Sequence, residues 1–385
     1  MPNIADRGRS SSGKANTSLD GSEPIRRSIE VEYWVIDEAG RLTEPGTLVE
    51  ASPGAEREFV APLLEIKTTP CETHAALQRE LLDRISQVLD RAEAEGKGLV
   101  PLGTPIRGTD IEDRYSERTK IQDRVLGENF EYVRRCAGTH IHVEQEPGRE
   151  IDQLNTLIAL DPALALVNSS PYFRGERLTP GTRSKLYRWL AYEALPHQGQ
   201  LWPYAESREQ WAKRIERRYE EFLTEAVLAG FDREYVKSAF EPEGAVWTPV
   251  QLRQEFSTVE WRSPDTALPS QILQLAEKIV GTVEHATNAE VRIDGERGRV
   301  SDSTVVLPEF DAIQEYVRAS IREGLSVPVR SYLQRMGFET SAYEPLTQEI
   351  EMGAEISAME ARELRIEYAS RLEEDLRRAR SIVAD

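Results

Sequence analysis

The chain has little sulfur: two cysteines, Cys71 and Cys136, in 385 residues. Two thiols this far apart do not make a disulfide framework, and no Cys/His cluster has the spacing of a structural zinc site. A reducing, cytoplasmic setting is the simpler reading. Lysine is almost as scarce. Of 48 basic residues eight are lysine and 40 arginine, against 67 acids, for a formal charge of −19. That balance excludes non-specific nucleic-acid binding, because phosphates would be repelled. An acidic, lysine-poor surface suits a high-salt cytoplasm, where self-repulsion is screened, and so points to a haloarchaeal source. It also means that most carboxylates here serve solvation, so a functional one must stand out by more than its charge. No apolar run approaches membrane-spanning length, and Met1 to Arg27 holds no apolar signal core. Residues 1–26, rich in Ser, Gly, Asn, Asp and Arg, are expected to form a disordered tail.

Histidine is also rare, with five in the chain, yet two of them share one short stretch, Cys136 to Glu146. On an extended strand Ile141 and Val143 point one way, and His140, His142 and Glu144 the other. Imidazole and carboxylate on one face make a poor core and a good metal or phosphate site. A polar strand face in water would look the same, so the pattern matters only if it recurs.

It does recur. Arg27 to Asp37 alternates, with Ile29, Val31 and Tyr33 against Glu30, Glu32 and Trp34. Phe59 to Thr68 reads as a second strand with Glu65 and Lys67 on one face. Leu99 to Leu102 reads as a short one, and Phe256 to Arg262 as a late one with Thr258, Glu260 and Arg262 together. Helical patterns cover residues 72–96, 151–167, 207–228, 268–287, 308–336 and 348–384. Residues 109–135 are polar and read as a long loop plus a helix, either an active-site flap or a solvated excursion. Residues 179–191 hold Arg183, Ser184, Lys185 and Arg188, a basic island in an acidic protein that could meet an anion.

If the strands share a sheet, one face gathers Glu30, Glu32, Glu65, Lys67, His140, His142, Glu260 and Arg262. Four carboxylates in a partly buried site repel one another, and divalent cations relieve that repulsion. Mg²⁺ and Mn²⁺ favour carboxylate oxygens, and Mn²⁺ tolerates an imidazole.

The motifs Glu30-Val-Glu-Tyr, Leu64-Glu-Ile-Lys-Thr-Thr-Pro-Cys71, Cys136-Ala-Gly-Thr-His-Ile-His-Val143, Ala165-Leu-Val-Asn-Ser-Ser-Pro-Tyr-Phe173 and Thr258-Val-Glu-Trp-Arg-Ser-Pro-Asp265, in that order, resemble the glutamine synthetase superfamily. The nearer likeness is to its carboxylate–amine ligase branch, the second family of glutamate–cysteine ligases, over roughly residues 28 to 290. The resemblance implies an α+β fold. A curved, mainly antiparallel sheet would form an active-site cup, with helices packed on its outer face. It implies a ligase catalytic domain over residues 27–300, with helices 301–385 packed on the same domain. It implies ATP and Mg²⁺ (or Mn²⁺) as cofactors, and glutamate and cysteine as substrates. No nucleic-acid or membrane partner is expected, and a homo-oligomer is compatible with the fold.

By matched position, Glu30, Glu32, Glu65, His140 and Glu260 would hold metal, and His142 and Lys67 would lie beside the nucleotide. Arg262, with Glu260, would serve the transferring phosphoryl group, and Arg188 and Ser184 would contact substrate. The sequence departs from the family at Val31, where a third Glu is usual, at Glu144, where Gly is usual, and in Thr179-Pro-Gly-Thr-Arg-Ser184. The chemistry expected is formation of an acyl phosphate and its capture by an amine. The alternatives are the same ligase with another amine or acid, or a metal-dependent amide hydrolase using the same carboxylates.

Overall fold

The computed structural model describes residues 24–108 and 111–384. Nearly all of the expected tail, residues 1–23, lies outside the described residues, as do residues 109–110 of the polar stretch.

Strand β1, Arg27–Asp37, is the axis of the fold. Its apolar face, Ile29, Val31, Tyr33 and Val35, is wholly buried. Against it pack Leu77, Leu81, Ile85 and Val88 of α1, His74–Ala94, a helix begun by the Thr73 side chain, which accepts from the Ala76 N–H at 3.1 Å. A slip of one residue in the pairing of β1 would drive Glu30 and Glu32 into this core, which fixes the register.

Around β1 the sheet adds β2, Ala55–Arg57, β3, Leu63–Lys67, β4, Lys97–Val100, and β5, Thr139–Glu144. After a separate hairpin, β6, Tyr172–Phe173, with β7, Glu176–Arg177, come β8, Val250–Arg253, and β9, Thr258–Trp261. The order is β2-β3-β1-β5-β9-β8, with β4 on the second half of β1, and every pairing is antiparallel. A small sheet of β10, Glu290–Ile293, β11, Arg299–Ser301, and β12, Thr304–Leu307, stands apart.

The other face of β1 changes character along its length. Glu30 and Glu32 face a cavity, whereas Trp34 and Ile36 join a second core with Val60, Val100, Leu102 and Tyr368. The Trp34 indole donates to the Leu102 carbonyl at 2.9 Å, so the ring is buried without an orphaned N–H. Helices α1, Arg208–Leu228 and Pro269–Asn288 follow the expected positions closely, α2 (Glu117–Leu126) falls within the polar stretch, and α3 (Glu150–Leu160) starts where expected. Among the described residues no helix is long and apolar enough to cross a membrane.

Several boundaries differ from the pattern reading. The second strand starts at Leu63, not Phe59, because Pro62 cannot donate to a ladder. The helix expected to reach Val167 ends at Leu160 and continues as a 3₁₀ turn, Asp161–Leu166, where Pro162 breaks the hydrogen-bond pattern. Residues 308–336 form two helices, Phe310–Glu323 and Val327–Arg335, separated at Gly324 with φ 65°. The last helix spans Ala358–Ala384 rather than starting at Gln348. Strand β8 and the β10–β12 sheet were not apparent from the sequence pattern.

Candidate active site

Antiparallel register sets the site out in rows. Lys67, Glu30 and His140 lie across β3, β1 and β5; Glu65 and Glu32 form the next pair along; His142, Glu260 and Gln251 lie across β5, β9 and β8. Four separate stretches of sequence therefore converge on one cavity of about 280 Å³.

Glu30 and Glu260 form one half of it. The His140 Nδ1 is hydrogen-bonded to Glu30 Oε2 at 3.0 Å and lies 3.5 Å from Glu260 Oε1. The His142 Nε2 is 3.7 Å from each carboxylate, and its Nδ1 is hydrogen-bonded to Thr258 Oγ1 at 3.1 Å, which orients the ring. Glu260 is buried between two arginines: Arg253 donates to its Oε2 at 3.0 Å, and Arg262 Nε lies 3.1 Å from its Oε1 as an ion contact, off the line of a hydrogen bond. Burial would raise both carboxyls. For Glu30 the hydrogen bond from His140, with the His142 imidazole close by, outweighs it and holds the group well below the usual range. For Glu260 the charge of Arg262, then of His142, His140 and Arg253, pulls it down to about 2.

Glu32, Glu58 and Glu65 form the other half, with one oxygen from each lying within 4.8 Å of the others. Glu32 accepts the Gly138 N–H at 2.6 Å, and Lys67 Nζ lies 2.7 Å from Glu65 and 3.0 Å from Glu56. Here the acids are under-compensated. Burial, then the charges of Glu30 and Glu32, push Glu65 up to about 8. Burial, then Glu32 and Glu65, push Glu58 well above its ordinary value. A crowd of carboxylate oxygens short of positive charge fits Mg²⁺ or Mn²⁺, and the imidazoles on the Glu30 side fit Mn²⁺ as well. Oxygens of Glu30 and Glu260 with His142, or of Glu30 and Glu65 with His140, also come within the spacing a single ion spans.

Eight of the ten expected site residues thus line one cavity. Arg188 and Ser184 do not. Arg188 grips the buried Asp161 with both terminal nitrogens, at 2.7 and 3.1 Å, and donates to Ser263 Oγ at 2.8 Å. Ser184 is buried on α4, Thr182–Lys185, and a π-helical turn, Leu186–Leu190, then carries Arg188 inward. The two arginines of the basic island face the interior, while Lys185 is half-buried. Arg183 donates to the Arg262 carbonyl at 3.3 Å and the Ser263 carbonyl at 3.1 Å, anchoring the strand end that carries Arg262. Gly138 makes room for this: a Cβ there would sit 2.0 Å from Arg183 Nη2. Glu144, where the family usually has Gly, turns outward to pair with Arg26 and does not line the cavity.

Sequence reasoning missed Glu58, Arg253 and an aromatic chamber. Glu58 lies between β2 and β3, where no alternation marks it; Arg253 could have been found from Val250-Gln-Leu-Arg253 as a hairpin partner of the late strand. The chamber, about 270 Å³, shares Phe59, Tyr187, Arg253 and Arg262 with the carboxylate cavity. Tyr187 stacks on Trp247 with centroids 4.4 Å apart, and the Arg262 guanidinium lies 5.5 Å from the centre of the Trp247 ring.

Among solved structures, a bifunctional glutathione synthetase from Pasteurella multocida superimposes with a TM-score of 0.58 at 15% identity, over 92% of this chain and 53% of its own. That likeness is one of fold: a mainly antiparallel sheet with helices packed against it, as the sequence motifs implied, the last helix also covering the Trp34 end of the opposite face. Among curated proteins, one from Frankia alni, provisionally named glutamate–cysteine ligase 2-1, is 26% identical over 253 residues, 62% of this chain and 60% of that protein. A protein of the same provisional name from Frankia casuarinae is 26% identical over 221 residues, 56% and 52% of the two chains. The chain thus spans about three fifths or less of the length of these relatives. The family model described as Glutamate-cysteine ligase family 2 matches residues 29–381, every site strand included, and the chain belongs to that family.

Proposed function

We propose that this chain is an ATP-dependent carboxylate–amine ligase that joins the γ-carboxylate of glutamate to cysteine. The observation that carries the reading is the meeting of Glu30, Glu32, Glu58, Glu65 and Glu260 with two imidazoles and Arg262 in one cavity. Mg²⁺ (or Mn²⁺), held by Glu30, Glu260 and His140 or His142 on one side and by Glu32, Glu58 and Glu65 on the other, would neutralise the phosphates of ATP.

The rest falls to the chain's own residues. The glutamate γ-carboxylate attacks the γ-phosphorus of ATP, ADP leaves, and the amine then displaces phosphate from the acyl phosphate. Arg262 is the fixed positive fork beside the transferring group. Burial disfavours its charge, but Glu260 more than restores it, so the guanidinium stays charged and in place. Its backbone is anchored by Arg183 and its side chain by Glu260, so little reorganisation is needed as charge develops. We assign His142 and Lys67 to the nucleotide side of the cavity. The aromatic wall of Tyr187 and Trp247 restricts water near the acyl phosphate, whose hydrolysis would waste ATP. No enzyme nucleophile is required, in keeping with Cys136, which burial pushes far above an ordinary thiol.

The test is incubation with ATP, Mg²⁺ and glutamate, with and without cysteine. ADP, phosphate and γ-glutamylcysteine are expected, with ADP release dependent on the amine. ADP formation with a different amine but not with cysteine would keep the ligase mechanism and remove the substrate assignment. No stimulation by any amine would refute the ligase reading.

A further inference from the structure

A second concave feature lies apart from the catalytic cavity and shares no residue with it. This cavity, of about 250 Å³, is lined by Arg41, Arg107, Arg362 and Arg365 with Leu42 and Ile111, and by no carboxylate among the described residues. Its arginines come from three places: the turn after β1, the loop after β4 and the start of the helix Ala358–Ala384. At about 3.3 Å per residue, the part of β1 between Glu32 and Asp37 alone separates the two sites by roughly 17 Å. In a chain of net charge −19, a concavity walled by four arginines and no acid needs a reason.

The site is built rather than incidental. Arg365 is buried and clamps the three segments together. It donates to the Pro105 carbonyl at 3.1 and 2.9 Å, to the Gly40 carbonyl at 3.0 Å and to the Arg107 carbonyl. Gly40, with φ 71°, lies so close to the helix that a Cβ would be 2.6 Å from the Arg362 carbonyl oxygen. That close approach sets Arg41 beside Arg362. Arg107 is steadied through the Ile356 carbonyl at 2.8 Å. All these acceptors are neutral carbonyls, so the cationic charge is held in place without being cancelled. The side chains of Arg41 and Arg362 have neither hydrogen bond nor ion pair with any described residue. Burial, then the like charge of Arg362, lowers Arg365 to about 10.

We propose that this arginine-walled cavity binds a small multivalent oxyanion of the phosphate class. Guanidinium forks match phosphate oxygens in pairs, and several forks around one concavity suit an anion with several oxygens. A concavity of about 250 Å³ walled by guanidinium groups, with no aromatic side chain among its lining residues to stack on a base, favours inorganic phosphate or pyrophosphate over a nucleotide. The two rim arginines are free to close on the ligand, while Arg365 keeps the floor rigid.

The test is calorimetric titration and thermal melting of the full chain with inorganic pyrophosphate, in EDTA and at matched ionic strength against KCl. EDTA prevents metal-bridged binding in the carboxylate cavity. The parent should bind saturably and melt higher than in KCl. The Arg41→Gln/Arg362→Gln double variant should melt like the parent without pyrophosphate, because neither side chain holds the fold. It should lose affinity by roughly tenfold or more per arginine. Glu65→Gln, altered in the other cavity, should bind as the parent does. Equal stabilisation by KCl, undiminished binding in the double variant, or loss of binding in Glu65→Gln would overturn the proposal.

Discussion

The Asp161–Arg188 pair offers the sharpest test, because it sets a structural role against a substrate role for the same arginine. Their side chains are 0% and 3% exposed. Asp161 also accepts the Trp261 indole N–H at 2.9 Å and the Ser263 hydroxyl, so one carboxylate ties α3 to the end of β9. Replacing Asp161 by Ala leaves a guanidinium buried without a carboxylate, a change that costs about 3–5 kcal/mol. The indole and hydroxyl lose their acceptor too, at about 1–3 kcal/mol each in isolation, but these effects overlap and do not simply add. A loss of about 4–5 kcal/mol follows, a large share of the roughly 5–15 kcal/mol that holds a folded domain together. With an m-value of about 3 kcal/mol/M, the urea midpoint should fall by about 1.5 M. Urea titration followed by tryptophan fluorescence measures this. The paired replacement Asp161→Leu/Arg188→Met, which removes both charges, should recover most of the loss. If Arg188 instead holds substrate, Arg188→Ala would raise the KM for an amino-acid substrate more than tenfold while shifting the midpoint by less than about 0.3 M. That result would refute the reasoning.

Further outcomes follow from the site and the surface. Glu260→Gln should abolish turnover even at saturating Mg²⁺, and near-normal activity would remove Glu260 from the site. Arg262→Lys keeps the charge but loses the fork, and should lower kcat roughly a hundredfold, the scale of losing one transition-state donor. Thermal midpoints should rise through a KCl series, because salt screens the −19 charge; a flat series would refute the salt-dependent reading. Asp265, buried and therefore raised from 3.8 to about 6, binds its proton more tightly when folded. Its contribution is full below about pH 4 and is lost as pH rises to about 6, an effect of up to about 3 kcal/mol. Stability measured across that window should fall more steeply in the parent than in Asp265→Asn, and parallel curves would refute the assignment.

What the sequence determined by itself was the local periodicity. A period of two placed Glu30 and Glu32 opposite Ile29 and Val31, and His140 and His142 opposite Ile141 and Val143, and the sheet keeps those faces. Alternation survives folding because a strand's pleat is set by adjacent residues alone. Caps and breakers are equally local, so α1 begins where Thr73 announces it.

Three features were decided only in three dimensions. Glu58 enters the site because β2 and β3 fold back to bring it against Glu32 and Glu65, with no repeat to announce it. Arg188 lies 27 positions from Asp161, and that buried carboxylate became its partner because the π turn after α4 aimed it inward. Arg41, Arg107 and Arg365 span more than 320 positions and meet because carbonyls at Gly40, Pro105 and Arg107 converge on one guanidinium. The physical reason is the same in each case. A charged side chain carries no sequence mark of its partner, because the partner is set by which backbone segments pack together and by the high cost of leaving a buried charge alone.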